Sequence, residues 1–374
     1  MDIIKEIENA SGRMVDRPMI RAASQALLEQ QGVGSTDLSN EYRGLSLASV
    51  AHRFLSAAGN RVEGREGRII AAALTTSDFG AMVANITSTA MLAGWDEGNR
   101  AARKFTGTVS VKDFKPMDTV WFGGISRPKK LLEGEPIPSG EAVAQANFIK
   151  AERHGIVFGL SEELMANGGI GPLISSARLH GAACASKLNA AVFELLQSSI
   201  VLADGGVLFN SSATDTQGGH ANLAISPADI SKISLSLGKS AMRRQSYSRD
   251  GRPFNLRPRY LIVGPELEDA AWEVAGLPIG YGEPGSATEQ YLIDAGRVEL
   301  ISDPEIQGNG WYLTADPLFA PIINVAYVNG VNQPTLTMDR PFSAEGMRFK
   351  VNFDFGVAIG DWRGAFKNDG APLA

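Results

Sequence analysis

"FKVNFDFGVAI", Phe349 to Ile359, admits two readings that lead to different proteins. Asp354-Phe355-Gly356 is the tripeptide with which protein kinases hold magnesium at the start of a flexible loop. Against that, every odd position from Phe349 to Ile359 is apolar: Phe349, Val351, Phe353, Phe355, Val357 and Ile359. The even positions, Lys350, Asn352, Asp354, Gly356 and Ala358, are polar or small. Period-two alternation sustained this long describes a half-buried strand, well beyond the mean of about 5–6 residues. It sends Phe355 into a core and Asp354 away from it. The kinase companions are also missing, since the chain has neither an H-R-D-x-x-x-x-N loop nor a glycine-rich nucleotide loop.

The same triplet occurs at Asp78-Phe79-Gly80, in "LTTSDFGAMVANI". There Thr76 and Ser77 are natural N-caps, and Phe79, Met82, Val83, Ile86, Ala90 and Ala93 follow at helical spacing up to Gly94. Asp78 falls in the first turn, where the helix dipole favours a carboxylate. Both triplets read as structure, one in a helix and one in a strand.

Composition narrows the field further. The 374 residues are 44% hydrophobic and 20% charged, ordinary globular usage with room for one large domain or two to three smaller ones. A net charge of -6 argues against direct duplex binding, though not against enclosing nucleic acid. Cys184 is the only cysteine and there are four histidines, so neither a disulfide framework nor a classical zinc site can be built. The N-terminus, "MDIIKEIENASGRMVDRP", has no signal core, and no apolar run approaches the roughly 20 residues of a membrane span.

Along the chain, residues 1 to about 72 are helical in character, through "DIIKEIENA", "PMIRAASQALLEQQG" and "SLASVAHRFLSAAG". From Lys104 to Lys150 short alternating strands take over, in "TGTVSVKDF" and "DTVWFGGI". The centre of this stretch, Glu133 to Gly140, has two prolines, two glycines and no apolar period, and it reads as the tip of a projecting hairpin arm. "GPLISSARLHGAACASKLNAAVFELLQSS" opens with Pro172 and carries a stripe through Leu173, Ala177, Cys184, Leu188, Ala191 and Leu195, a helix of seven to eight turns. A further helix follows in "SPADISKISLSLGKSAMRRQ", expected to be capped by Ser226 with Pro227 and Asp229 behind it. "PRYLIVGPELEDAAWEVAG" is a strand running into a helix, and "GRVELIS" and "GWYLTAD" are short strands.

Other chemical signals are weak. Gly238-Lys239-Ser240 resembles the end of a phosphate-binding loop, but Ile233 stands where the leading glycine belongs, and the stretch lies inside an amphipathic helix. No G-x-S-x-G elbow occurs, His154 and His220 have no acidic partner at motif spacing, and His180 reads as a packed or hydrogen-bonded residue of the long helix. Glu133/Glu135 and Glu162/Glu163 are sequence-adjacent acids of the kind that form solvated faces. The expected set is therefore no catalytic residues, no cofactor and no metal. One basic cluster, "MRRQSYSRDGRPFNLRPR", suits contact with phosphate or with acidic surfaces of neighbouring subunits, the second preferred in an acidic chain.

With enzyme signals gone, the order of parts is what remains: helical arm, projecting strand arm, long helix, mixed middle, long terminal strand. This order resembles the α+β major capsid fold of tailed phages, the Johnson fold. "LTTSDFGAMVANI", "DFKP", "RHGIVFGLSEELMANGGIGPL", "GGVLFNSS", "GHANLA", "LRPRYLIVGPELEDAAWEV", "GWYLTADP" and "FDFGVAIGDWRGAFKNDGAP" are similar to the capsid portion of prohead protease/major capsid fusion proteins, near the Mu-like major head subunit family. "EYRGLSLASVAHRFLSAAG" resembles the linker before that portion. No protease domain precedes Met1, so the expectation is a separate or removed maturation protease, with residues 1–70 either a retained N-arm, the preferred reading, or the remains of a scaffolding segment.

The resemblance implies an N-terminal arm at 1–103 and an extended loop at 104–150. It implies a peripheral domain from 151–200 and 321–374, containing the long spine helix, and an axial domain at 201–320. Hexamers and pentamers of this chain would close an icosahedral or prolate shell in the bacterial host cytoplasm. Double-stranded DNA would lie on the inner face of the virion without sequence-specific binding, and no membrane is involved. Portal, scaffolding, maturation protease and decoration proteins would be the other partners. Inter-subunit contacts are expected at Lys129, Lys130, Glu133, Glu135, Arg243, Arg244 and Arg249. An encapsulin-like nanocompartment, which shares the fold, and a serine hydrolase of unrecognised type are the alternative readings.

Overall fold

The computed structural model describes residues 18–34, 40–60, 66–74, 76–98, 100–125, 142–160, 170–214, 216–246, 253–275, 298–339 and 347–371. These fall into two units. One draws on the described residues of Met1–Asn99, Arg153–Lys187 and Val331–Asp354; the other on those of Arg100–Glu152, Leu188–Gly330 and Phe355–Ala374.

The first unit contains α1 (Pro18–Gln30), α2 (Leu47–Ala57), α3 (Glu66–Leu74) and α4 (Ser77–Glu97). Its strands are most of β4 (Glu152–Leu160), β9 (Thr335–Asp339) and the first half of β10 (Met347–Ile359). The long helix α6 (Gly171–Gln197) begins here and, like β10, continues into the second unit. Helices and strands share one core in which Leu27, Phe54, Phe79, Ile86, Leu173 and Phe349 are buried. Apolar positions recurring at helical spacing on α1 to α4, and at alternate residues on β10, converge there. Ser46 caps α2 by accepting a hydrogen bond from the Ser49 N–H.

Helices α4 and α6 approach closely because glycine occupies both sides of the crossing. A Cβ on Gly94 would stand 2.0 Å from the Arg178 carbonyl oxygen, which no side chain could tolerate. A Cβ on Gly181 would likewise meet the Met91 carbonyl oxygen. Gly94 thus does not end its helix, as helical spacing alone suggests; α4 runs on to Glu97. The glycine is a packing position rather than a stop.

The second unit contains α5 (Ala101–Phe105), β1 (Gly107–Val111), β2 (Met117–Ile125) and β3 (Ala142–Ile149). After the end of α6 come α7 (Lys232–Arg244), β5 (Pro258–Val263), α8 (Glu268–Ala275), β6 (Glu299–Ser302), β7 (Trp311–Ala315), β8 (Ile323–Val328) and β11 (Ala365–Asn368). One sheet has the order β11-β7-β5-β6, with β5 parallel to β6 and antiparallel to β7. Helix α7 lies on it, its Gly238 so close that a Cβ would meet Leu313 Cδ1 at 2.9 Å. Elsewhere β1 runs parallel to β8, and β8 pairs antiparallel with the second half of β10. In the first unit, the first half of β10 pairs antiparallel with β9.

Three sequence expectations are revised. Helix α7 starts at Lys232, capped by Ser231, not by Ser226. Ser231 and Ser234 form a reciprocal capping box, whereas the preceding segment is held outside the helix: Ala228 N–H donates to Asn368 Oδ1 and its carbonyl accepts from Trp311 Nε1. The helical stripe on α6 drifts, so Val192, Phe193 and Leu196 are buried in the last turns while Ala191 and Leu195 are half-buried. On β10 the strict alternation ends after Phe355: Gly356 and Ala358 are buried, and Val357 is only half-buried. The segment at Lys150 and Ala151 covers that second face, and a Cβ on Gly356 would stand 1.9 Å from the Lys150 carbonyl oxygen.

Candidate assembly surface

Strands β2 and β3 form an antiparallel ribbon with Met117 opposite Ile149 and Trp121 opposite Gln145. Among the described residues they pair with each other and with no other strand. The base of the ribbon is fixed. Ile149 and Ala151 pack with Val111, Ala326 and Ala358, and Asn147 Nδ2 donates to the Ile359 and Gly360 carbonyls at 3.1 and 3.3 Å. Alternation then turns the intervening Phe148 outward, where it is 74% exposed. A two-stranded ribbon is marginally stable by itself in water, and the packing at its base supplies part of the support it needs.

A second apolar projection is the turn after β7. Asp316 organises it: Oδ1 accepts from the Leu318 N–H at 3.0 Å, and the main-chain oxygen accepts from Phe319 and Ala320 at 3.0 and 3.2 Å. The other carboxylate oxygen receives the Arg259 guanidinium. The turn holds Leu318 and Phe319 in water, 86% and 77% exposed. Burying a side chain of this size is worth about 1.5–3 kcal/mol. A fixed turn that displays two of them is a candidate contact element.

The predicted contact residues divide. Lys129, Lys130, Glu133 and Glu135 lie in 126–141, and Arg249 in 247–252, outside the described residues. Arg243 and Arg244 are exposed in the last turn of α7, where cations also suit the helix dipole. Arg243 Nε donates to Asn255 Oδ1 at 2.9 Å. The basic cluster therefore includes one arginine bonded within its own chain and another, Arg259, held by Asp316. The exposed apolar groups were not singled out in the sequence; only strand alternation at Phe148 could have flagged one of them.

The groups with catalytic associations are occupied structurally. Phe79 is buried against Phe54, ring centroids 5.8 Å apart, and Asp78 sits in the first turn of α4. Asp354 accepts two hydrogen bonds from Arg153, at 3.0 and 2.9 Å, on the surface of β10. Gly238 of the phosphate-loop lookalike is a buried packing glycine, and burial lowers the pKa of the neighbouring Lys239. His180 stacks on Phe158 with Nδ1 2.7 Å from the Ser176 carbonyl.

His220 departs from expectation. It does have an acidic partner, Asp204, with Nε2 2.9 Å from Oδ2, and it stacks on Trp362. Two of the three members of a catalytic triad are thus present. Its Nδ1, however, faces the Leu208 carbonyl at 3.1 Å, and the ring is fully buried. A base must offer one nitrogen to the nucleophile, and neither nitrogen here is available. The group ties the loop 204–220 together. Asn189 was also missed: from α6 it accepts from the Ala102 N–H at 3.1 Å and donates to buried Asp303 at 2.9 Å. Among the described residues no three metal-ligating side chains converge, and no helix is long and apolar enough to cross a membrane.

Comparison with known proteins gives one family: the model described as phage capsid protein matches residues 145–368. No match is found among curated proteins. Among solved structures, a virus-like particle from Pyrococcus furiosus is similar at 13% identity and a TM-score of 0.46, over 76% of this chain and 98% of that one. The capsid of Cyanophage P-SCSP1u is similar at 10% identity and 0.47, over 72% and 88%. The capsid of a native GTA particle is similar at 12% identity and 0.47, over 73% and 91%. These scores are too low to add weight to the family match.

Proposed function

Because the chain belongs to the phage capsid protein family, we propose that it is the major head subunit of a tailed bacteriophage and assembles with copies of itself into the shell of the virion. The family match over residues 145–368 carries this reading. The α+β architecture, with its long spine helix, its long strand and its ribbon, fits the Johnson fold. Hexamers and pentamers are the units that close such a shell, with double-stranded DNA inside it. A portal protein is the further partner this role implies, and scaffolding, protease and decoration proteins are compatible with it. The chain needs no catalytic group for it, and a net charge of -6 suits a wall that encloses DNA without gripping it. The finer placement beside prohead protease fusions rests on the sequence stretches alone, as does the division into arm, extended loop, peripheral and axial domains.

The extended-loop part is tested by replacing residues 131–141 with a short Gly-Ser linker. The expected product is soluble, with circular dichroism close to the original, and sediments as monomers or isolated capsomers where the unaltered chain gives particles. Unfolding would place the segment in the subunit's own core, and normal shells would remove it from the assembly. A genetic neighbourhood of portal and terminase genes, rather than cargo enzymes, separates this reading from a nanocompartment.

A further inference from the structure

Two helices of the second unit display apolar side chains beside charges of opposite sign. On α7, Ile233 and Leu237 are 76% and 66% exposed, four residues apart and hence adjacent on one face. Arg244, eleven residues beyond Ile233, returns to that face after three turns and is also exposed. The opposite face, with Leu235, Gly238 and Met242, is the one buried on the sheet. On α8, Ala271 and Ala275 are buried, while Trp272 is exposed with Glu268 and Asp269 four and three residues before it on the same face. Charge at the helix ends has an ordinary explanation, because acids favour the first turn and cations the last. That explanation leaves Ile233, Leu237 and Trp272 in water without cause.

We infer that the α7 face of one copy docks on the α8 face of the next, with Leu237 and Trp272 as apolar anchors and Arg244 set against Asp269. The inference rests on the capsid reading and names one surface through which copies meet. The occupant follows from the charges: the basic-apolar face and its acidic-apolar complement are both on this chain. A second copy therefore offers each of these faces its complement. One copy carrying both halves makes a contact that repeats from subunit to subunit, as a ring requires. Like-signed faces would repel, so the charges also fix which helix meets which.

A charge swap tests this, with sedimentation velocity and negative-stain microscopy as readouts and circular dichroism as the check on folding. Arg244→Glu and Asp269→Lys are each expected to weaken assembly about tenfold or more. The double variant R244E/D269K is expected to recover it, because the two copies are again complementary. Recovery cannot come from repaired helix ends, since both remain reversed. Leu237→Ser should weaken assembly without changing charge. Single variants that assemble like the unaltered chain would overturn the inference and leave the capsid reading standing. Singles that fail without rescue by the double would overturn the pairing. An unaltered chain that forms no assemblies would overturn the capsid reading and this contact with it.

Discussion

Asn189 on α6 joins two other parts of its unit. Its side chain links the Ala102 N–H to Asp303, and both Asn189 and Asp303 are buried. Replacing it with leucine removes both links and leaves polar groups in the core, at a cost of about 1–3 kcal/mol for each one left unsatisfied. Asn189→Leu should lower the thermal midpoint by several degrees, and an unchanged midpoint would show the relay to be incidental. Cys184 makes a chemical prediction. Burial pushes its thiol up to about 11 from an ordinary 9.0. Folding therefore favours the protonated form, and near neutral pH the thiolate is about a hundredfold scarcer than in the unfolded chain. Iodoacetamide should label the folded chain slowly and the denatured chain fast; equal rates would mean the side chain is not packed. At this scale, what was legible in the sequence was whatever a local period could settle. Phe79 and Phe355 were placed in cores by spacing. Asp204–His220 and Asn189–Asp303 join residues separated by loops, and no spacing rule announces them.

Among the elements, the α4–α6 crossing depends on two missing side chains. Gly181→Ala would drive a methyl group to 1.9 Å from the Met91 carbonyl oxygen, so the helices must part. Overpacking of this kind costs about 1–3 kcal/mol or more. The loss should appear as a lower urea midpoint, with alanine at exposed Ser186 as the comparison substitution. A midpoint equal to that of the control would mean the helices have room to move apart freely. The long elements were the most legible ones, because α6 and β10 carry their periods over many residues. Their ends and faces were less so. Ser226 and Ser231 offered competing caps, and tertiary bonds to Asn368 and Trp311 decided for the second. Gly94 and Gly356 looked like a stop and part of a metal motif. Each is in fact a place where another backbone passes.

For the molecule as a whole, the exposed apolar groups are the part the sequence did not announce. Leu318 and Phe319 lie in "DPLFAP", a stretch without periodicity, and only the bonding of Asp316 shows them held outward. Leu318→Ser with Phe319→Ser should leave the subunit folded, since little of either side chain is buried within it. In the assembly the same pair is expected to weaken each contact it makes by about tenfold or more, as lost burial of two large side chains predicts. Shells as stable to dilution as those of the unaltered chain would remove the turn from the interface. The central claim, that the ribbon, the turn and the helix faces exist to be covered by further copies, is met most directly by negative-stain microscopy of the purified chain. Closed shells of uniform size are the expected result. A population of dispersed monomers at every concentration, with folding intact by circular dichroism, would contradict it.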